Sequence, residues 1–194
     1  MSDQQRPEQI DPVPAVVELD GWSLQPLVPD HAPLVAQLLG LRGNRYILEM
    51  APDVGTIRTA LAELPRQPWS LPLAIVRDEE LVGVATTALP NVKALHASLV
   101  ALFVDPPSAT LGLAMAVRHL LWSFPLHRLH AQVPAMDLTT EYVDLFRSVG
   151  FEDEGRFTAH AMIAGQPFDM VVLGLLRTDF ERWCVDHEPR LRLT

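Results

Sequence analysis

Residues Ala97 to Phe124 read ASLVALFVDPPSATLGLAMAVRHLLWSF, and their internal order decides how the rest of the chain is read. A continuous apolar run, Leu99 to Val104, stops at Asp105-Pro106-Pro107. A short turn bearing Ser108 and Thr110 leads to Gly112. Apolar residues then recur at helical spacing as Leu113, Val117, Leu120, Leu121 and Phe124. The pattern predicts a buried strand, a turn, and a helix whose first turn carries small residues. The first N–H groups of a helix have no partner within it, so an uncovered helix start is a place for an anion.

Working outward, Val16–Leu27 splits around Asp20-Gly21, a turn signal, and Trp22–Leu27 reads as a strand whose Pro26 suggests a sheet edge. Asp30 is expected to cap a helix with Leu34, Val35, Leu38 and Leu39 on one face, stopped by Gly40. Asp53 is expected to cap a second, with Ile57, Leu61 and Leu64 inward and Pro65 and Pro68 beyond. Leu71–Arg77 and Leu81–Leu89 form a hairpin through Asp78-Glu79-Glu80, broken at Pro90-Asn91, and Leu95–Val104 is the third long strand. Past Phe124 come a strand over His127–Val133, a helix carrying Leu138, Tyr142, Leu145, Phe146 and Val149 to Gly150, and two strands, Phe151–Ile163 and Phe168–Leu176. A short helix with Phe180 and Trp183 closes the order. Helices between strands, with hairpins mixed in, predict an α/β protein with a sheet of mixed direction.

Nearly half the residues, 48%, are apolar, enough for one core but for no bilayer span, since no apolar run nears the ~20 residues a span needs. The expected organisation is a polar, mobile arm over 1–15 and a single domain over 16–194. A net charge of −9 argues against nonspecific nucleic-acid binding and tolerates a cationic partner. Cys184 is the single cysteine, so no internal disulfide forms, and the polar start is no signal peptide. These features point to a cytoplasmic protein, monomer or homodimer, that binds neither nucleic acid nor membrane.

Three local patterns together resemble the GCN5-related N-acetyltransferase (GNAT) superfamily over roughly Trp22 to Trp183. The first is Phe103-Val-Asp-Pro followed by Ala109-Thr-Leu-Gly112-Leu-Ala114, similar to the loop that holds the coenzyme A pyrophosphate. The second is Leu145-Phe-Arg-Ser-Val-Gly150-Phe151. The third, Glu154-Gly155 with Gly165 and Asp169, is similar to the ribosomal-protein-acetylating (Rim) branch. The resemblance implies a mostly antiparallel mixed sheet flanked by helices. It implies acetyl-CoA as cosubstrate and a primary amine of a protein N-terminus or small molecule as acceptor. It places the thioester against the backbone of Leu102, Phe103 and Val104, the phosphates on the N–H groups of Thr110, Leu111, Gly112, Leu113 and Ala114 after Ala109, and the coenzyme arm near Thr139.

The sequence departs from the family at several of these positions. Ala109 stands where the loop has Gln or Arg, Leu99 where an acid is common, Thr139 where Asn is common, and Phe146 where a proton-donating Tyr is frequent. Tyr142 stands where the Rim branch often has Ser, and Ala161, beside His160, where it has a carboxylate.

Acyl transfer from a thioester to an amine needs a group that takes the amine proton, a donor for the carbonyl oxygen and a proton for the leaving thiolate. Tyr142 is the candidate donor by position; it also lies on the apolar stripe of its helix, which suits a core residue equally. His96, at the start of the strand before the loop, is the candidate base, and an ordinary strand-end histidine reads the same way. His127 and His130 fall on opposite faces of a strand and make no metal pair, so no metal is expected. Arg42, Arg45, Tyr46 and Glu49 lie where this fold borders the acceptor. Two alternatives stay open: a degenerate module that binds acyl-CoA or a partner with little catalysis, and an enzyme for a longer acyl chain lined by Leu99 and Leu102.

Overall fold

Asp20 and Gly21 both take left-handed backbone, φ 50° and 79°. That turns β1 (Val17–Leu19) back onto β2 (Trp22–Pro26) as a tight hairpin. This computed structural model describes residues 17–41, 53–63, 71–91 and 94–192, and of 88–91 the backbone only. The expected arm over 1–15 and the segment with Arg42, Arg45, Tyr46 and Glu49 lie outside the described residues. The same device recurs at Asp78-Glu79, φ 50° and 69°, between β3 (Leu73–Arg77) and β4 (Glu80–Asn91). It recurs again at Ala164-Gly165, φ 49° and 72°, between β7 (Glu152–Ile163) and β8 (Gln166–Leu176).

With β5 (His96–Phe103) and β6 (Arg128–Pro134) these strands form one eight-stranded sheet in the order β1-β2-β3-β4-β5-β6-β8-β7. Every neighbouring pair is antiparallel except β5 and β6, which run parallel. The helix α3 (Thr110–Ser123) makes that parallel crossover. It is buried on most of its circumference, packing Leu113, Val117 and Leu120 with Ala97, Leu99, Ala101 and Phe103 of β5. The helices α4 (Thr140–Ser148) and α5 (Arg177–His187) contribute Tyr142, Leu145, Phe146, Phe180 and Cys184 to the same core. On the opposite face, α1 (Ala32–Gly40) and α2 (Val54–Glu63) pack Val35, Leu38, Leu39, Ile57 and Leu61 with Ala74, Val84 and Leu102.

Asp53 caps α2 as expected, its Oδ1 accepting from the N–H groups of Gly55 (2.9 Å) and Thr56 (3.1 Å). Asp30 does not cap α1. It lies within a 3-10 turn, Pro29–His31, and the His31 Nδ1 accepts the Val28 N–H instead at 3.2 Å. Pro26 is not on an edge strand, because β2 is flanked by β1 and β3. Among the described residues β1 pairs back to Leu24 and no further, so the proline faces no described ladder partner on that side. Pro90 does not end β4, which continues to Asn91 through a register shift, the place where a strand admits proline.

Candidate active site

The strands β5 and β6 pair over His96↔Arg128, Ala97↔Leu129 and Ser98↔His130, and beyond that point they have no register partners. From Leu99 onward one edge of β5 is therefore released while the other stays laddered to β4. Val104 points its N–H at Val82 (2.9 Å to the carbonyl), so the alternation of the strand aims the Phe103 backbone toward the released edge. The two strand faces differ. Phe103 and Leu99 face the α3 core, whereas Leu102 faces α1 and α2. Leu99 and Leu102 thus point to opposite sides of the sheet and do not jointly line an acyl tunnel. Val104 is exposed at the end of the run.

At that end, Pro106–Ser108 form a 3-10 turn and α3 begins. Ala109 occupies the N-cap position with no side-chain cap, and the first turn carries no acid. The Ala109 carbonyl accepts from Leu113 at 2.9 Å, so the helical ladder is closed from Leu113 on and Ala114 lies inside it. The expected anion site over Thr110–Ala114 therefore contracts to the N–H groups of Thr110, Leu111 and Gly112. Leu113 and Ala114 are wholly buried core residues. The missing Cβ of Gly112 faces the sheet: one built there lies 2.5 Å from Trp22 Cζ3 and 2.9 Å from Ile75 Cγ2. Gly112 is required for close helix–sheet approach, not to clear room for a phosphate.

Tyr142 is 1% exposed. Its hydroxyl accepts the Phe103 N–H at 2.7 Å and donates to the Phe103 carbonyl at 3.2 Å. It therefore stands on the released edge of β5, touching the same backbone that the sequence assigns to the thioester. Thr139 is also 1% exposed, and its hydroxyl is used locally, donating to the carbonyls of Pro134 and Met136. It holds the turn before α4. Between α4 and the start of α3, the hydroxyls of Thr110 and Ser148 lie 2.9 Å apart.

His96 lies on the face away from α3, and the partner of its ring is His130, centroids 5.5 Å apart and edge to face. The two meet where β5 and β6 begin to part. Among the described residues, the buried His96 Nδ1 has no hydrogen-bond partner. Burial first, then the charge of a protonated His96 and of Arg128, hold the His130 pKa below the usual 6.5. Sequence reading took His130 only as half of a rejected metal pair and did not place it beside His96. Its pairing with His96 depends on a parallel register across the α3 crossover, which no local pattern encodes. Beside it, Arg128 and Glu154 form an ion pair over Gly174.

The Rim-like residues near the end of the chain build a bulged hairpin. Asp169 accepts the N–H of Ala159 at 2.9 Å and lies 3.6 Å from Arg156. A cavity of about 340 Å³ opens between this hairpin and α4, lined by Met136, Thr140, Val143, Arg147 and Arg156. Arg147 is already engaged there by Asp144 and Asp153. Among the described residues no three metal-ligating side chains gather in one place, and no helix is long and apolar enough to cross a membrane.

No protein-family model and no curated protein sequence matches the chain. Solved structures do. RimJ of Mycobacterium smegmatis, in complex with CoA-disulfide, is 21% identical over 85% of this chain and 88% of its own, with a TM-score of 0.68. A chimera of the spermidine N-acetyltransferase SpeG from Vibrio cholerae is 14% identical over 83% and 98%, at 0.72. The ribosomal-protein-S5-alanine acetyltransferase of Vibrio fischeri is 12% identical over 86% and 98%, at 0.69. At these identities the likeness is one of fold, and the fold is that of the GNAT acetyltransferases, as the sequence motifs implied.

Proposed function

We propose that the chain is an N-acyltransferase that moves an acetyl group from acetyl-CoA directly to a primary amine of a protein N-terminus or small molecule. The observation that carries this reading is the parting of β5 and β6 after Ser98↔His130, with the uncapped start of α3 at the end of the released edge. A strand edge offers N–H and C=O groups to the amides of the donor's arm, and the helix start offers three N–H groups to its diphosphate. Structural neighbours named for spermidine and for a ribosomal protein support an amine acceptor. The net charge of −9 suits a cationic one.

In the proposed reaction the amine nitrogen attacks the thioester carbon, the C–N bond forms, the C–S bond breaks, and the thiolate takes from solvent one proton, which balances the one the amine gives up. His96 is the proposed acceptor of the amine proton; it stands at the opposite end of β5 from Phe103, about 23 Å away along the strand, so the thioester it serves would sit where β5 and β6 part, with the arm running from there past Phe103 to α3. His96 lies on the face away from α3, so donor and amine approach through the sheet from opposite sides. The buried Nδ1 of His96, unpartnered among the described residues, is consistent with a polar ligand there. A neutral His130 against its ring adds no fixed charge to oppose protonation.

One observation favours the second reading, a module that binds acyl-CoA without efficient turnover. Ala109 supplies no side chain to the phosphates, and the Phe103 backbone is already hydrogen-bonded by Tyr142. Thermal shift with CoA, followed by thiol release with acetyl-CoA across N-terminal peptides and polyamines, separates the two. A CoA shift with turnover on one amine class is the expected result. A shift with no turnover on any amine selects the binding module, and no shift removes the cosubstrate from both.

A further inference from the structure

We propose that Tyr142 is the latch of the acyl-donor slot: its hydroxyl occupies the backbone groups that the donor's arm must use, so the donor enters only as Tyr142 lets go. The inference rests on the acyltransferase reading above. Where two neighbouring strands part, the released edge presents N–H and C=O groups that water cannot reach and that must find other partners. At Phe103 both are met by one side chain from another element, across 39 positions of sequence. A phenol hydroxyl carries one donor and accepting lone pairs, so it meets an N–H and a C=O on the same strand edge. It therefore stands in for the C=O of one amide and the N–H of the next on an extended arm laid along β5. A donor arm with secondary amides is the chemical class able to replace it, bond for bond.

A second contact fastens the same helix to the start of α3. Ser148, about 1.7 turns further along α4 than Tyr142, brings its hydroxyl to 2.9 Å from that of Thr110, the first residue of α3. The helix α4 is thus fastened both to the released strand edge and to the anion-binding helix start. Entry of a donor arm therefore requires Tyr142 to yield, and the Thr110–Ser148 contact holds α4, and Tyr142 with it, in the closed position. Tyr142 in this account acts on admission and not on the chemical step, which reassigns the role its position in the sequence suggests.

The test is CoA binding to the full chain, by calorimetry for affinity and by stopped-flow tryptophan fluorescence for on-rate. Wild type is compared with Tyr142→Phe and Ser148→Ala, all checked for native circular dichroism. Removing a neutral hydrogen bond that the ligand must displace tightens binding by roughly 2- to 10-fold. The expected result is that Tyr142→Phe binds CoA tighter by that factor, mainly through a faster on-rate. A tyrosine that serves packing alone lowers the melting temperature and leaves CoA affinity unmoved, and that result overturns the latch. Weaker binding in the variant overturns it too, since the hydroxyl is then a ligand contact. If Tyr142→Phe does not fold, Ser148→Ala carries the same expectation and the same refutation. Wild-type binding without tightening in either variant defeats the latch alone. Absence of CoA binding in all three defeats the acyltransferase reading and the latch with it.

Discussion

Gly112→Ala tests how closely α3 lies on the sheet, and with it the placement of the anion-binding helix start. The added methyl falls 2.5 and 2.8 Å from two ring carbons of Trp22 and 2.9 Å from Ile75 Cγ2. Carbon atoms rest at about 3.5–4.0 Å, so the ring must retreat by about 1 Å. Trp22 is 7% exposed and carries the Arg77 guanidinium 5.2 Å from its ring centre. A small cavity of about 80 Å³, lined also by Val82, Phe103 and Ala109, lies beside it. Overpacking of this kind costs about 1–3 kcal/mol. Replacing glycine with alanine in a helix returns at most ~1 kcal/mol, and less in a first turn. The net expectation is a loss of about 1–2 kcal/mol, or a melting temperature lower by about 3–6 °C for a chain of this size. Urea unfolding followed by tryptophan fluorescence measures it. A variant as stable as wild type, or more so, refutes the close approach and would free Gly112 for the role its motif suggested. Gly112→Asp is a poor probe of the anion site for the same reason, because it breaks packing before it repels a phosphate.

Two further outcomes follow from buried titratable groups. Cys184 is wholly buried, and its thiol pKa is pushed up to about 11, chiefly by burial. Native protein should therefore leave a disulfide reagent such as DTNB untouched at neutral pH and react fully in denaturant, and fast native labelling would contradict that burial. His119 and His130 are both held below the usual 6.5, burial being the larger cause in each, with Arg118 adding to the first and His96 and Arg128 to the second. Their folded pKa values lie below the unfolded one, so the stability they contribute is whole above pH 6.5 and is lost as pH falls through the folded values. Urea midpoints should decline on acidification below that point, with a shallower slope in His119→Gln, and a rise on acidification would overturn the assignment.

Most of the fold was legible because short-range chemistry specifies it. Asp-Gly, Asp-Glu and Ala-Gly pairs between alternating runs gave the hairpins, and the Asp53 carboxylate gave the start of α2. The errors were also local. At the start of α1, Asp30 falls inside a 3-10 turn, and the Pro33 that follows it has no N–H for a cap to accept. At Pro90 a register shift absorbed what a regular ladder rejects. The site was less legible. Motif spacing located the helix start, but not that Gly112 turns its open side to Trp22. The stripe on α4 marked Tyr142 as either donor or core, and the structure shows a core tyrosine whose buried hydroxyl is bonded to the backbone of another strand, a partner the stripe did not name. His96 was visible as a candidate, while its neighbour His130 depended on the parallel register and was read only as half of an unworkable metal pair.

The three residue pairs that join β5 to β6 contrast with seven between β4 and β5 and seven between β6 and β8. Mechanically the sheet is two stiff leaves, β1 to β5 and β6 to β7, meeting along a short seam. Backbone hydrogen bonds resist sliding at that seam, but they do little to set the dihedral angle between the leaves. That angle falls to the wedge of side chains beneath it, Ala97 and Leu99 from one leaf, Leu129 and Ala131 from the other, under Leu113 and Val117 of α3. Volume under the seam is thereby converted into aperture. Substitutions among residues that touch no ligand adjust the width of the gap, as a shim adjusts a joint.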